Sequence, residues 1–300
     1  MTLNRSASVL ARLLNLAKQR GDDYSLLLNR FALERLLYRI ATSAHADRFL
    51  LKGALLFALW YDEPHRPTRD ADLLGFGQDD AEHLVAVFRD IAAIEADDGI
   101  VFDADSVRAL AIRDDNAYGG TRIQLVAHIG SARCALQVDV GFGDAVTPGP
   151  QTATLPTLLH DFAAPTLRVY PVYTVIAEKY HAMATLGLAN SRMKDFYDLA
   201  IIARRTELDG AILARAIAAT FARRSTRLPL ARPVALTRQF GADTAKLRQW
   251  QAFLKKNRLS TAPLAEVVAL LDHLLWPATQ VANSGSTATA TWQANSAKWV

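Results

Sequence analysis

A change of pattern near Pro171 limits the folds open to this chain more than any other feature. Before it, strand-like segments alternate with helical ones; after it, apolar residues recur only at helical spacing. Residues 107–112, 121–129 and 132–140 read as successive strands, connected through Tyr118-Gly119-Gly120 and Gly130-Ser131. The second connection is two residues long and contains glycine, which predicts a tight hairpin. Residues 71–76 form a further strand behind a proline-containing loop. Residues 10–40 predict two amphipathic helices broken near Gly21-Asp22-Asp23, with Asp22 or Asp23 capping the second. Residues 54–60, behind Phe49-Leu50-Leu51 and Lys52-Gly53, predict a short buried helix, and residues 81–94 a longer one. Helices enclosing a small mixed sheet make this first domain α+β.

Residues 148–171 are a Pro-rich connection, and residues 172–188, 195–205, 209–223, 243–255 and 262–275 read as helices. The segment from Ala278 onward is rich in Ala, Ser, Thr and Asn and lacks periodicity, which predicts a poorly ordered tail. A length of 300 residues suits about two domains. The expected division is 1–165 for the α+β domain, 166–277 for a helical, basic domain and 278–300 for a disordered tail.

No run of 18 apolar residues is present, so no membrane span is expected. The start, MTLNRSASVLARLL, lacks the continuous apolar core and cleavage site of a secretory signal. The single cysteine, Cys134, allows neither an intrachain disulfide nor a cysteine-based zinc site, and a reducing cytoplasm is the expected compartment. The net charge of +4 conceals an asymmetry: residues 192–258 carry 15 Lys/Arg against 5 Asp/Glu, a local +10 that leaves −6 elsewhere. An acidic part suits a cation and a basic part an anion. A solvated, Arg-rich helical surface is the competing reading.

The most informative stretch is Arg66-Pro67-Thr68-Arg69-Asp70-Ala71-Asp72-Leu73. On a strand, Asp70 and Asp72 lie on one face. Carboxylates that close repel each other unless a cation neutralises them. Magnesium, with manganese as an alternative, suits the pair, because it binds a few carboxylates and completes its shell with water and phosphate oxygens. Two solvated aspartates on an edge strand would give the same pattern. Asp139 stands among apolar, β-prone neighbours, where an aspartate is seldom buried without a partner. If its strand neighbours that of Asp70 and Asp72, three carboxylates converge, and the third can hold metal or accept a proton from an attacking hydroxyl. Asp144, among glycines, reads as a turn residue. Gly53 and Ala54, ahead of a helix, let backbone N–H groups approach phosphate. Arg66 and Arg69 either balance the aspartates or steer a triphosphate. His65, His128 and His181 lack the pairing of a histidine metal site.

Five stretches in this order resemble the AbiEii/AbiGii toxin family of nucleotidyltransferases. They are Leu51-Lys52-Gly53-Ala54-Leu55, Thr68-Arg69-Asp70-Ala71-Asp72-Leu73, Val138-Asp139-Val140-Gly141-Phe142-Gly143-Asp144, Ala177-Glu178-Lys179-Tyr180-His181-Ala182 and Arg192-Met193-Lys194-Asp195-Phe196-Tyr197-Asp198. The resemblance spans roughly residues 10–205. It implies a DNA-polymerase-β-like core joined to a helical C-terminal domain, and the toxin of a type IV-like toxin–antitoxin pair with a cognate antitoxin. It further implies that Gly53 lies in the nucleotide-phosphate loop and that Asp70 and Asp72 hold magnesium. Asp139 would be the third carboxylate, Lys179 would meet the phosphates, and Asp195 would complete the site. Ala54 departs from the Gly-Gly or Gly-Ser of many nucleotidyltransferases and removes a hydroxyl that could contact phosphate.

The expected activity is magnesium-dependent transfer of a nucleoside monophosphate from an NTP to an acceptor hydroxyl. The basic region, residues 204–258, would hold tRNA by its phosphates; a protein hydroxyl is the other acceptor. A metal-dependent phosphodiesterase or nuclease, or a non-catalytic nucleic-acid-binding module, are the alternatives.

Overall fold

The computed structural model describes residues 2–61, 66–112, 119–286 and 290–300, so His65 and Tyr118 lie outside the described residues. Apolar spacing of three and four opens the chain with α1 (Thr2–Arg20) and α2 (Tyr24–Thr42). Between them Gly21 takes a left-handed φ of 68°, and the Asp23 side chain accepts from the Leu26 N–H as the cap of α2. There follow β1 (Phe49–Lys52), α3 (Leu56–Tyr61), β2 (Asp70–Gly75) and α4 (Ala81–Ala92). Then come β3 (Val101–Ile112), β4 (Gly120–Ile129), β5 (Ala132–Phe142), β6 (Gln151–Thr154) and β7 (Thr166–Val169).

These strands form one seven-stranded sheet in the order β3-β4-β5-β2-β1-β7-β6. It is mixed: β2 runs parallel to β5 and β1 to β7, and the other neighbours are antiparallel. Along β2 and β5 burial alternates, because successive side chains point to opposite faces. Ala71, Leu73, Val138 and Val140 are buried on one face. That face also carries Phe49, whose ring lies 5.6 Å from Phe88 of α4. Asp70, Asp72 and Asp139 occupy the other, half-exposed face.

Three strands of this sheet lay outside the sequence expectation. Phe49-Leu50-Leu51 of β1 is buried at every position and shows no alternation, while prolines on either side conceal β6 and β7. The chain divides into two compact units, Met1–Gly143 with Pro150–Tyr170, and Asp144–Gly149 with Pro171–Val300. The boundary therefore falls after Tyr170 rather than at 165, because β7 is tied into the sheet by β1 and β6.

The second unit holds α5 (Val172–Leu186), α6 (Met193–Arg205), β8 (Leu208–Asp209), α7 (Gly210–Arg223), α8 (Arg238–Ala242), α9 (Thr244–Asn257) and α10 (Leu264–Ser284). It closes with β9 (Thr291–Gln293) and β10 (Lys298–Trp299). Asp209 and Asp243 cap α7 and α9, each accepting the backbone N–H three residues on. Phe196 of α6 stacks on Phe240 of α8 at 4.9 Å. Among the described residues no helix is long and apolar enough to cross a membrane.

The expected disordered tail, 278–300, is a correction. α10 continues through Pro277 to Ser284, and Thr279, fully buried, puts its hydroxyl 2.7 Å from the Leu275 carbonyl and 2.9 Å from the Tyr180 hydroxyl. Beyond it, β9 pairs with β8 and β10 in a three-stranded sheet. Trp292 is fully buried, donates its indole N–H to the Ala203 carbonyl at 2.7 Å and meets the Trp299 ring edge-on at 5.5 Å. Polar composition averaged over the tail masked these two aromatic anchors. Trp292→Ala is expected to destabilise the second unit by about 3–5 kcal/mol, the cost of emptying a buried aromatic site. Calorimetry checks this, and a melt unchanged from wild type would contradict it.

Candidate active site

Strand register assembles the site. The Gly130-Ser131 turn pairs Ile129 with Ala132 and, counting outward, Arg122 with Asp139. On its other side β5 sets Asp139 opposite Asp72 of β2, and β1 sets Lys52 opposite the same Asp72. Opposed residues share a sheet face. A row thus crosses four strands, reading Lys52, Asp72, Asp139, Arg122, with two cations outside two carboxylates. Asp70, two residues before Asp72, shares this face and lies opposite Gln137.

The Arg122 guanidinium donates from Nε and Nη2 to the two oxygens of Asp139, both at 2.9 Å. This fork is the strong geometry of a charged pair. Arg122 is made more basic than usual, first by that hydrogen bond and then by the charges of Asp139, Asp70 and Asp72. One guanidinium therefore feels all three carboxylates. The Thr68 hydroxyl donates to Asp70 Oδ1 at 2.6 Å.

Gly53 follows β1 with a φ of +76°, and a Cβ built there would stand 1.9 Å from Asp72 Oδ2. The bare α-carbon lets the Asp72 carboxylate lie against the chain, a role beyond the phosphate loop expected of it. Ala54 follows in the single 3-10 turn Gly53–Leu55. Arg66 is half-buried. Arg69 is exposed, and its charge acts on Asp23, whose carboxyl is held below the usual range chiefly by the Leu26 N–H.

Lys179 and Asp195 belong to the second unit and are brought together there. Lys179 Nζ of α5 donates to Asp195 Oδ1 at 2.8 Å and lies 2.8 Å from Asp198 Oδ2; Arg192 Nε donates to Asp195 Oδ2 at 2.7 Å. Both aspartates are fully buried. Burial pushes the Asp195 carboxyl up, but the charges of Lys179 and Arg192 outweigh it and hold the group below its ordinary value. Asp144 is more than a turn residue, because Arg224 Nη2 donates to it at 3.2 Å and lies 3.7 Å from Glu178. His181, beside Arg224, is pushed down to about 4 by burial and by that guanidinium, and so is neutral at pH 7.

A model of the AbiEii family, described as the nucleotidyl transferase AbiEii toxin of a type IV toxin–antitoxin system, matches residues 35–275. The chain belongs to this family. No curated protein matches it. It is similar to the crystal structure of JHP933 from Helicobacter pylori, with 15% identity, 86% of this chain and 94% of that one covered, and a TM-score of 0.47. It is also similar to another H. pylori crystal structure, described provisionally as that of a nucleotidyltransferase, at 15% identity, 86% and 97% coverage and a TM-score of 0.45.

The mixed sheet carrying this row is the α+β core of an AbiEii-family nucleotidyltransferase, consistent with the expected DNA-polymerase-β-like core, and the family brings an antitoxin partner with it. The stretch matched by the AbiEii model includes Gly53, Asp70, Asp72, Asp139, Lys179 and Asp195. A divalent hard cation fits the Asp70/Asp72 pair, an all-oxygen donor set on one face. Asp139 is turned to Arg122, and among the described residues no three His, Cys, Asp or Glu side chains stand grouped as a metal site. Two residues went unassigned in the sequence, Arg122 and Arg224. Arg122 had a usable signal, since a two-residue hairpin turn sets its register with Asp139. Arg224 had none, being 80 residues from Asp144.

Proposed function

We propose that this AbiEii-family toxin transfers a nucleoside monophosphate from an NTP to an acceptor hydroxyl, with a divalent cation and with tRNA as acceptor. The observation that carries the reading is the in-register Asp72–Asp139 neighbourhood with Asp70 on the same face. A binding surface for polyanions has no use for clustered carboxylates.

Asp70 and Asp72 would hold magnesium or manganese, with Asp139 at the edge of the set. Bound there, such an ion supplies charge neutralisation for the triphosphate. Asp139 accepts the proton of the acceptor hydroxyl, and Arg122, gripping both its oxygens, orients it for that task. The acceptor oxygen bonds to the α-phosphorus as the bond to the bridging oxygen breaks and pyrophosphate leaves. Backbone N–H groups at Gly53 and Ala54 approach the phosphates. Lys179, its ammonium fixed by Asp195 and Asp198, is a point charge suited to phosphate oxygens.

The acceptor is inferred from charge. Within α9 the charged residues are Lys246, Arg248, Lys255 and Lys256, all cations. Lys246 is buried and donates to the Asn190 carbonyl at 2.9 Å, while the other three are exposed. Exposed Arg204, Arg205, Arg215, Arg223 and Arg227 add to the positive surface of the second unit. Contacts of this kind suit RNA phosphates.

Labelled-NTP transfer to total tRNA tests the proposal. Asp72→Ala is expected to lower labelling by roughly 10²–10³-fold, the scale of removing one charge-stabilising group. Equal labelling by both proteins would remove the assigned role. RNA shortened without NTP would identify a nuclease, and RNA binding retained in EDTA without product would identify a binding module.

A further inference from the structure

Lys52 is the member of the charged row without a part in the reaction above. It ends β1 opposite Asp72, so its side chain rises on the carboxylate face. From there it reaches across β2 to β5: a Cβ built on Gly141 would lie 3.2 Å from Lys52 Nζ and 3.9 Å from Cε. Gly141 stands two residues beyond Asp139 and therefore on the same face. The Tyr170 ring centroid lies 5.7 Å from the ammonium. The missing side chain of Gly141 is thus the seat of a half-buried ammonium beside the carboxylates.

Charge gives the seat its meaning. In the row and beside it, three carboxylates, Asp70, Asp72 and Asp139, stand with two cations, Lys52 and Arg122. Arg122 spends its fork on Asp139. Once a divalent ion neutralises the aspartates, the local excess turns from one negative to one positive charge, and the fitting ligand is an anion. Lysine is a compact point charge with three donors, suited to non-bridging phosphate oxygens.

We propose that Lys52 is a nucleoside-triphosphate-binding residue whose ammonium is seated over Gly141 to meet a phosphate oxygen. The inference rests on the nucleotidyltransferase reading and adds a ligand contact to it.

Equilibrium dialysis of radiolabelled ATP, GTP, CTP and UTP, with Mg2+ and no RNA, tests it on the full chain. Wild type is compared with Lys52→Met, Lys52→Gln, Gly141→Ala and the Lys52→Met/Gly141→Ala double variant. For the NTP that wild type binds most tightly, loss of the ammonium is expected to weaken binding by about ten- to a hundredfold. Gly141→Ala is expected to weaken binding by a few-fold with lysine still present, since among the described residues, apart from its chain neighbours, its methyl meets within 4 Å only the Lys52 side chain, whose flexible end must shift by a few tenths of an ångström. The double variant is expected to be no weaker than the poorer single one. Thermal melts confirm that the variants fold, and Lys52→Gln serves if the methionine variant does not.

Wild-type-like affinity in the Lys52 variants, with binding lost in Asp72→Asn, overturns the Lys52 assignment and leaves the NTP reading standing. Additive losses in the double variant, or an unaffected Gly141→Ala, overturn the seat. A wild-type chain that binds none of the four triphosphates overturns both.

Discussion

Gly53→Ala is expected to lower labelled-NTP transfer by at least about a hundredfold while leaving a folded protein. Geometry sets the scale. The new methyl would stand 1.9 Å from Asp72 Oδ2, so the carboxylate must move away. A displacement of about 1 Å at a reacting centre is enough for a loss of that size. The left-handed φ of +76° adds a backbone cost of about 1–2 kcal/mol for any residue with a Cβ. Transfer measured against the folded fraction from circular dichroism separates the two effects. Ala54→Gly, which takes a methyl away at the next position, is expected to stay within a few-fold of wild type. Activity of Gly53→Ala within threefold of wild type would show that Asp72 does not act from where it lies.

Lys179→Met is expected to destabilise the second unit by about 3 kcal/mol, because it takes from two buried carboxylates the cation they share and leaves Arg192 on Asp195. Asp195 and Asp198 are both fully buried, and the ammonium lies 2.8 Å from an oxygen of each. Lys179→Met/Asp195→Asn/Asp198→Asn is expected to recover most of the loss, since an intact set of neutral groups is cheaper to bury than a broken ionic one. Urea melts check both, and an unchanged midpoint for Lys179→Met would refute the account. The same cluster sets a pH dependence. The Asp195 carboxyl is held below its ordinary value in the folded chain, so its contribution is present above the unfolded value and lost as pH falls through the folded one. His181 acts at milder acidity. Its pKa is about 4 in the fold against 6.5 for the ordinary group, so the unfolded chain binds the extra proton and stability declines as pH drops from 6.5 toward 4. Replacing His181 by Gln is expected to flatten that upper limb, and replacing Asp195 by Asn the lower one.

Much of the candidate site could be read along the chain. Asp70 and Asp72 share a face for the local reason that strand side chains alternate, and Asp23 caps α2 because a free N–H waits three residues on. The partnership of Asp139 with Arg122 was also written locally, in a two-residue turn. The tail and the domain boundary went the other way. Composition averaged away Trp292 and Trp299, and prolines hid β6 and β7.

The amino-acid sequence by itself determined most of the helices, the strands β2 to β5, the cap of α2, and which face of β2 carries its carboxylates. Those outcomes depend on neighbours a few residues apart. Only the tertiary structure decided that β5 runs beside β2, that Lys52 stands opposite Asp72 and reaches over Gly141, and that half-buried Lys179 bridges two buried aspartates. Such pairings join residues distant in the chain, and their register is set by the summed packing of the apolar face rather than by the residues that meet.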